Sequence, residues 1–240
     1  MQTQNPPLSA LLARVDAAIV DLDGTLVDTL GDFAEALGRM LADLQLPAID
    51  TASIERMVGK GSEHLLRSVL KHVLAGADQA PGATDLEAQA ERLYPQAWER
   101  YQHHYLAVNG QFARVYPGAA EGLAALRAAG LRLACLTNKP TDFAVPLLRA
   151  KGLLENFEHV FGGDAFARKK PDPLPLLQTC EALGSAPART LMIGDSSNDA
   201  QAARAAGCPV VLVGYGYNHG RPVREVDADG YVDDLSELRR

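Results

Sequence analysis

The spacing of a few short apolar runs most constrains what this chain can fold into. Residues 17–22 (Ala-Ala-Ile-Val-Asp-Leu), 131–136 (Leu-Arg-Leu-Ala-Cys-Leu), 190–193 (Thr-Leu-Met-Ile) and 209–213 (Pro-Val-Val-Leu-Val) read as short buried strands. Gly230-Tyr231-Val232 is a weaker fifth. Between and beside them lie helical patterns at 119–129, 142–151, 173–183 and 198–206, with Gly130, Gly184 and Gly207 as stops just past three of them. Thr141 is placed to cap the second of these helices, and Pro146 is expected to kink or shorten it. Strands alternating with helices imply an α/β fold: a Rossmann-like parallel sheet with helices on both faces.

One interval breaks the alternation. Residues 29–112 hold no convincing strand and read as helices at roughly 30–45, 61–76 and 85–107, with Pro81-Gly82 separating the last two. Tyr116-Pro117-Gly118 looks like the hinge by which the chain returns. The expected organisation is a core built from 1–28 and 113–240 and an all-helical cap, 29–112, inserted after the first strand. A length of 240 residues suits one domain with a large insertion. An insertion at a strand end sits over the mouth of the sheet, where such folds bind ligands, so it is a candidate lid.

The first strand runs into Asp21-Leu22-Asp23-Gly24-Thr25. Residues i and i+2 of a strand share a face, so both acids can project from the strand end, and Gly24 permits a sharp turn. Two clustered carboxylates repel unless a cation or a shared proton relieves them, and a hard divalent cation such as magnesium does so at a phosphate site. Taken alone, the pair also fits two acids in a solvated turn.

Three further strings extend the pattern, each after a strand or before a helix. They are Thr137-Asn138-Lys139, Lys170-Pro171-Asp172-Pro173 and Gly194-Asp195-Ser196-Ser197-Asn198-Asp199. With Asp21-Leu22-Asp23-Gly24-Thr25 they resemble, in order, the four signatures of the haloacid-dehalogenase-like hydrolase superfamily. The resemblance covers the whole chain, a helical cap included. It implies a phosphatase in which Asp21 attacks phosphorus and forms an aspartyl-phosphate, while Asp23 serves as general acid and then general base. It further implies Mg2+ held by the Asp21 carboxylate, the Asp23 carbonyl and the Asp195 carboxylate, with Asp199 in support or orienting Lys170. Thr137 and Asn138 would bind the phosphate, and Lys170 would supply fixed positive charge. Lys170, rather than Lys169, matches because it stands directly before Pro171.

Other residues read more plainly. Thr137 could also be a helix cap. Asp28 reads as a cap for the first inserted helix, with a third acid of the site as the alternative, and Asp32 as an ordinary surface acid. The six histidines show no ligand spacing, so no zinc is expected.

Val58-Gly59-Lys60-Gly61 and the Gly214–Gly220 loop, together with Lys170-Pro171-Asp172-Pro173, resemble the phosphoglycolate phosphatases of the superfamily. That resemblance implies a two-carbon substrate, 2-phosphoglycolate, whose carboxylate is read by the cap. Lys60, one cation between two glycines, would attract that carboxylate as a point charge, or else it is a solvent-exposed loop lysine. The alternatives are a sugar phosphomutase, a phosphatase for another small metabolite, and a phosphonate hydrolase using Lys60 as a Schiff base. A dehalogenase would not need Asp23. The formal net charge of −7 does not favour a nucleic-acid partner. No stretch approaches the length of a membrane span, and the amino terminus lacks a secretory signal pattern. Cys135, Cys180 and Cys208 form no C-x-x-C pair and read as free thiols. A cytoplasmic enzyme, monomer or homodimer, acting on a small phosphate monoester is therefore expected.

Overall fold

The computed structural model describes residues 8–76 and 83–239. In chain order the elements are α1 (Leu8–Leu12), β1 (Ala17–Val20), β2 (Val27–Asp28), α2 (Leu30–Asp43), α3 (Thr51–Met57), α4 (Ser62–Ala75), α5 (Ala83–Val108), β3 (Arg114–Val115) and α6 (Ala119–Ala128). They continue with β4 (Arg132–Leu136), α7 (Thr141–Ala150), β5 (His159–Phe161), α8 (Leu174–Ala182), β6 (Thr190–Gly194), α9 (Ser197–Ala206), β7 (Val210–Val213) and β8 (Gly230–Val232). Six strands form one parallel sheet in the order β5-β4-β1-β6-β7-β8. The fold is thus α/β, as expected.

The strand side chains explain the two covered faces. Ala18, Val20, Leu133, Cys135, Leu191 and Ile193 point into one hydrophobic cluster, while Ala17, Ile19, Ala134, Leu136 and Met192 point into another. This is the period-two alternation of a strand with apolar residues on both sides, the pattern of a parallel sheet buried between helices. All three cysteines are buried free thiols.

The helices α2, α4 and α5 share a third cluster, built around Phe33, Leu37, Met40, Leu66, Val69, Leu70, Tyr101 and Tyr105. Phe143 of α7 and Tyr217 join it from the far side, which links the helical block to the sheet-bearing part. Several details differ from the sequence reading. The short helix α3 was not anticipated: Asp50 caps it by accepting from Ser53 N at 2.8 Å, a signal that the periodicity of seven residues is too brief to reveal. Pro146 lies inside α7 without ending it, and Thr141 gives its hydroxyl to Asp164 at 2.6 Å instead of capping. The two-residue strands β2 and β3 pair antiparallel where the chain leaves for the helical block and returns. Pro81-Gly82 lies outside the described residues.

Asp32 is the clearest correction. It is fully buried, not a surface acid. Its Oδ2 accepts from Gly110 N at 2.7 Å, and its Oδ1 from Phe112 N at 2.8 Å and Ala113 N at 3.1 Å. One carboxylate therefore satisfies three amides of the returning chain, the loop 110–113. Asp32→Ala would leave those donors unpaired and is expected to cost about 2–4 kcal/mol, since buried charge-assisted bonds are the expensive ones to lose. Urea denaturation checks it: a midpoint unchanged from wild type would show that the latch carries no stability.

Candidate active site

The site forms where three central strands end. Asp21 follows β1, Thr137 follows β4, and Asp195 follows β6, so adjacent parallel strands deliver the three side chains to one rim. This is the crevice at the carboxyl ends of the strands where open α/β sheets bind ligands. Gly24, at φ +84°, turns the chain back just after Asp23. A Cβ at Gly24 would stand 2.1 Å from Asp195 Oδ2, so the position needs glycine both for its dihedral and for the approach of Asp195.

Lys170 is the electrostatic centre. Its ammonium lies 2.9 Å from Asp21 Oδ1 and 2.7 Å from Asp199 Oδ1, and donates to Leu136 O at 2.9 Å. Burial alone would depress this lysine, but Asp199 and Asp21 hold it well above the ordinary range. The neighbouring Lys169 instead reaches out to Glu63 on α4 at 3.2 Å. Asp199 serves two tasks with its two oxygens. Oδ1 holds Lys170, while Oδ2 accepts from Ser196 N at 3.2 Å and Ser196 Oγ at 2.9 Å in the capping box of α9.

Asp21, Asp195 and Asp199 offer carboxylate oxygens that all lie within 4.8 Å of one another. One ammonium faces three buried acids. Burial pushes Asp21 up to about 7, helped by Asp199 and Asp23 and opposed by Lys170. Burial, then Asp199 and Asp21, likewise raise Asp195 well above the carboxylate range. Asp21 Oδ1 is buried and accepts no hydrogen bond of proper geometry. An all-oxygen donor set with excess negative charge fits a hard divalent cation.

The sign of a pH effect follows. Both carboxyls are held above the ordinary 3.8, so the cation-free fold is favoured at low pH and loses stability as pH rises, on account of Asp21 from about 4 through about 7, with Asp195 acting in the same direction. A cation needs the ionised forms and competes with protons. The rise in Tm produced by Mg2+ should therefore grow from pH 5 to pH 8. A rise independent of pH would mean that these acids do not bind the metal.

Asp23 points elsewhere. Its Oδ1 accepts from Lys139 Nζ at 2.8 Å and Thr29 Oγ1 at 2.7 Å. Thr137 is buried, its Oγ1 accepts from Lys139 N at 3.2 Å, and among the described residues its hydroxyl donates to no acceptor. Asn138, expected to bind the phosphate, has its amide taken up by backbone. It donates to Lys170 O at 2.8 Å and Gly59 O at 3.1 Å, and accepts from Lys170 N at 3.0 Å. It is a bracket that fixes Lys170 and ties the α3–α4 loop to the sheet. Lys60 differs as well: its side chain is exposed and does not line the cavity, whereas Gly59 and Gly61 do. Asp28 has a part in capping α2, accepting from Leu30 N at 3.1 Å.

The structure supplies a physical role for the Gly214–Gly220 loop. Tyr217 N donates to Asp195 Oδ2 at 2.5 Å, and the Tyr217 hydroxyl accepts from Thr29 N at 3.0 Å while donating to Asp28. Asn218 Oδ1 accepts from Ser197 N at 2.9 Å at the start of α9. His219 contacts the Asn198 amide, 3.3 Å away. The loop thus braces both the acid cluster and the entry to the helical block. Nothing in its composition encodes those long-range partners.

Beside Asp21 and Asp23 a cavity of ≈ 20 Å³ lies between the sheet rim and the helical block. Phe33, Val58, Gly59, Gly61, Ser62 and Leu65 close it from the block.

The description "haloacid dehalogenase-like hydrolase" matches residues 15–207. The chain belongs to that family. Among curated relatives, a phosphoglycolate phosphatase of Thiobacillus denitrificans is 46% identical over 93% of this chain and 93% of its own length. A plasmid-encoded phosphoglycolate phosphatase of Cupriavidus necator is 43% identical over 92% of this chain and 90% of its own. A solved structure from Haemophilus somnus 129pt, named as a predicted phosphoglycolate phosphatase, has a TM-score of 0.85 at 31% identity, covering 94% of this chain and 96% of that one. Among the described residues no helix is long and apolar enough to cross a membrane.

Proposed function

We propose that this hydrolase cleaves 2-phosphoglycolate to glycolate and inorganic phosphate. The observation that carries the reaction class is Asp21 at the rim of the sheet with Lys170 2.9 Å away and Asp195 and Asp199 beside it. The substrate follows from similarity to phosphoglycolate phosphatases over nine-tenths of the chain.

In this reading Asp21 attacks phosphorus, the phosphorus–ester oxygen bond breaks, and Asp23 protonates the departing alkoxide. Asp23 then takes a proton from water as that water attacks phosphorus, which frees Asp21 and phosphate. Lys170 and the Thr137 hydroxyl hold the phosphoryl oxygens, and Asn138 and Asp199 keep Lys170 in place. Mg2+ would be held by Asp21, Asp195 and the Asp23 carbonyl, where it would offset the charge that otherwise keeps an anionic nucleophile from a phosphate dianion. The block 29–112 acts as the cap that shields the reaction and selects the leaving group. We place the enzyme in the cytoplasm, in keeping with three buried free thiols.

The test is phosphate release from 2-phosphoglycolate, ethyl phosphate, sugar phosphates, nucleotides and pyrophosphate, each with Mg2+ and with chelator. Preference for 2-phosphoglycolate, lost in chelator, is expected. Conversion of β-glucose 1-phosphate to glucose 6-phosphate without free phosphate would replace this reading by the mutase.

A further inference from the structure

Lys139 is an unusual side chain for a position after a strand. It is 3% exposed, and among the residues lining the cavity it is the one cation. Its ammonium has three donors but one oxygen partner among the described residues, Asp23 Oδ1 at 2.8 Å. The rest of its surroundings are aromatic: Nζ stands 4.6 Å from the ring centroid of Phe33 and 4.8 Å from that of Tyr105. Ring faces stabilise a desolvated cation without consuming its donors. The contrast with Lys170 is instructive, since that ammonium already touches two carboxylates and a carbonyl.

The geometry also fixes where Lys139 stands along the substrate. Asp23 must approach the ester oxygen to protonate it, and Lys139 touches Asp23. A group at that place meets whatever lies next to the ester oxygen. In 2-phosphoglycolate the carboxylate is one methylene away. The opposite wall supplies Gly59, Gly61 and Ser62, small residues that leave space for it. Gly59 has φ +108° and Gly61 φ +88°, dihedrals that only glycine adopts without strain.

We propose that Lys139, not Lys60, is the specificity-determining residue that binds the carboxylate of the substrate. The inference rests on the 2-phosphoglycolate reading above. Lys139 directs two of its donors to the carboxylate while the phosphoryl group occupies the Asp21–Lys170 end. A phosphate ester without a second anion leaves those donors facing the rings alone.

Binding of two phosphonates to the Mg2+-loaded protein separates this role from chemistry. 3-Phosphonopropionate is the isostere of 2-phosphoglycolate with a methylene for the ester oxygen, and propylphosphonate lacks only the carboxylate. Calorimetry of the wild type should show 3-phosphonopropionate binding about 10- to 100-fold more tightly, the range of a charge-assisted hydrogen bond. In Lys139→Met, which keeps the packing against Phe33 and Tyr105, that ratio should fall to near one. In Lys60→Ala it should stay at the wild-type value. If the wild type shows no preference, the 2-phosphoglycolate reading fails. If the wild type prefers the carboxylate and Lys139→Met keeps the preference, or loses both ligands equally, the assignment of Lys139 fails. A crystal structure of the wild type with 3-phosphonopropionate decides even if the variant does not fold. The carboxylate should lie within hydrogen-bond distance of Lys139 Nζ, and a carboxylate on Lys60 or in bulk solvent overturns the proposal.

Discussion

Asp21→Asn is expected to lose turnover of 2-phosphoglycolate by on the order of 10³-fold or more while leaving the fold intact. The amide has the shape of the carboxylate but cannot attack phosphorus. It also removes a charge that burial disfavours, since Asp21 is held up at about 7 chiefly by desolvation. Lys170 keeps Asp199 at 2.7 Å and so is not left without a counter-ion. Thermal stability in chelator should therefore change little, and that separates a lost nucleophile from a lost fold. Beryllofluoride gives a second readout. It mimics a phosphoryl group on a carboxylate, so it should raise the Tm of the Mg2+-loaded wild type and not that of the variant. Turnover within tenfold of wild type in a folded Asp21→Asn would end the covalent mechanism.

What the sequence made legible was local. The strand ends that carry Asp21, Thr137 and Asp195 were readable because a doubly covered parallel strand must be an apolar run, and a run that stops at a polar residue announces its own end. Lys170 was separable from Lys169 by the adjoining Pro171, and the structure shows the consequence: one lysine buried among acids, the other at the surface with Glu63.

What escaped depends on contacts across long sequence distance. Asp32 looked like any acid in the first turn of an amphipathic helix. Its partners, Gly110, Phe112 and Ala113, are about eighty residues away. Lys139 was legible as part of a motif but not as a cavity cation, because its burial is made by Phe33 and Tyr105 from the inserted helices. Lys60 is the converse case, with an exposed side chain. Two glycines around a lysine suggest a ligand loop, and the glycines do face the cavity, but a side chain between them points where the local backbone sends it. β5 was missed because its three residues, His159, Val160 and Phe161, carry no run long enough to show a period.

Lys170→Met should be the most damaging single change to both activity and stability. The ammonium is shared by Asp21 and Asp199, and with Asp195 these acids lie within 4.8 Å of one another. Removing the cation leaves a buried acid cluster with nothing to offset it. Breaking a buried pair from one side costs about 3–5 kcal/mol, because the remaining charge stays desolvated. Arginine is not a substitute: Lys170 fits as a point charge between Leu136 O and two carboxylates, and a planar guanidinium is wider than that gap. The loss should be largest above pH 7, where Asp21 is ionised, and should shrink as pH falls and protons take the place of the lysine. A double-mutant cycle tests the cause. Adding Asp199→Asn to Lys170→Met removes one stranded charge and keeps an oxygen for the Ser196 capping box. The double variant should be more stable than Lys170→Met by about 1 kcal/mol or more, although Asp199→Asn alone destabilises the wild type. Activity should not return in either, since the Lys170 ammonium that holds the phosphoryl oxygens is still missing. Additive losses in stability would show that Lys170 and Asp199 act independently, and that the lysine is held by the backbone of Leu136 and Asn138 and not by the acids it contacts.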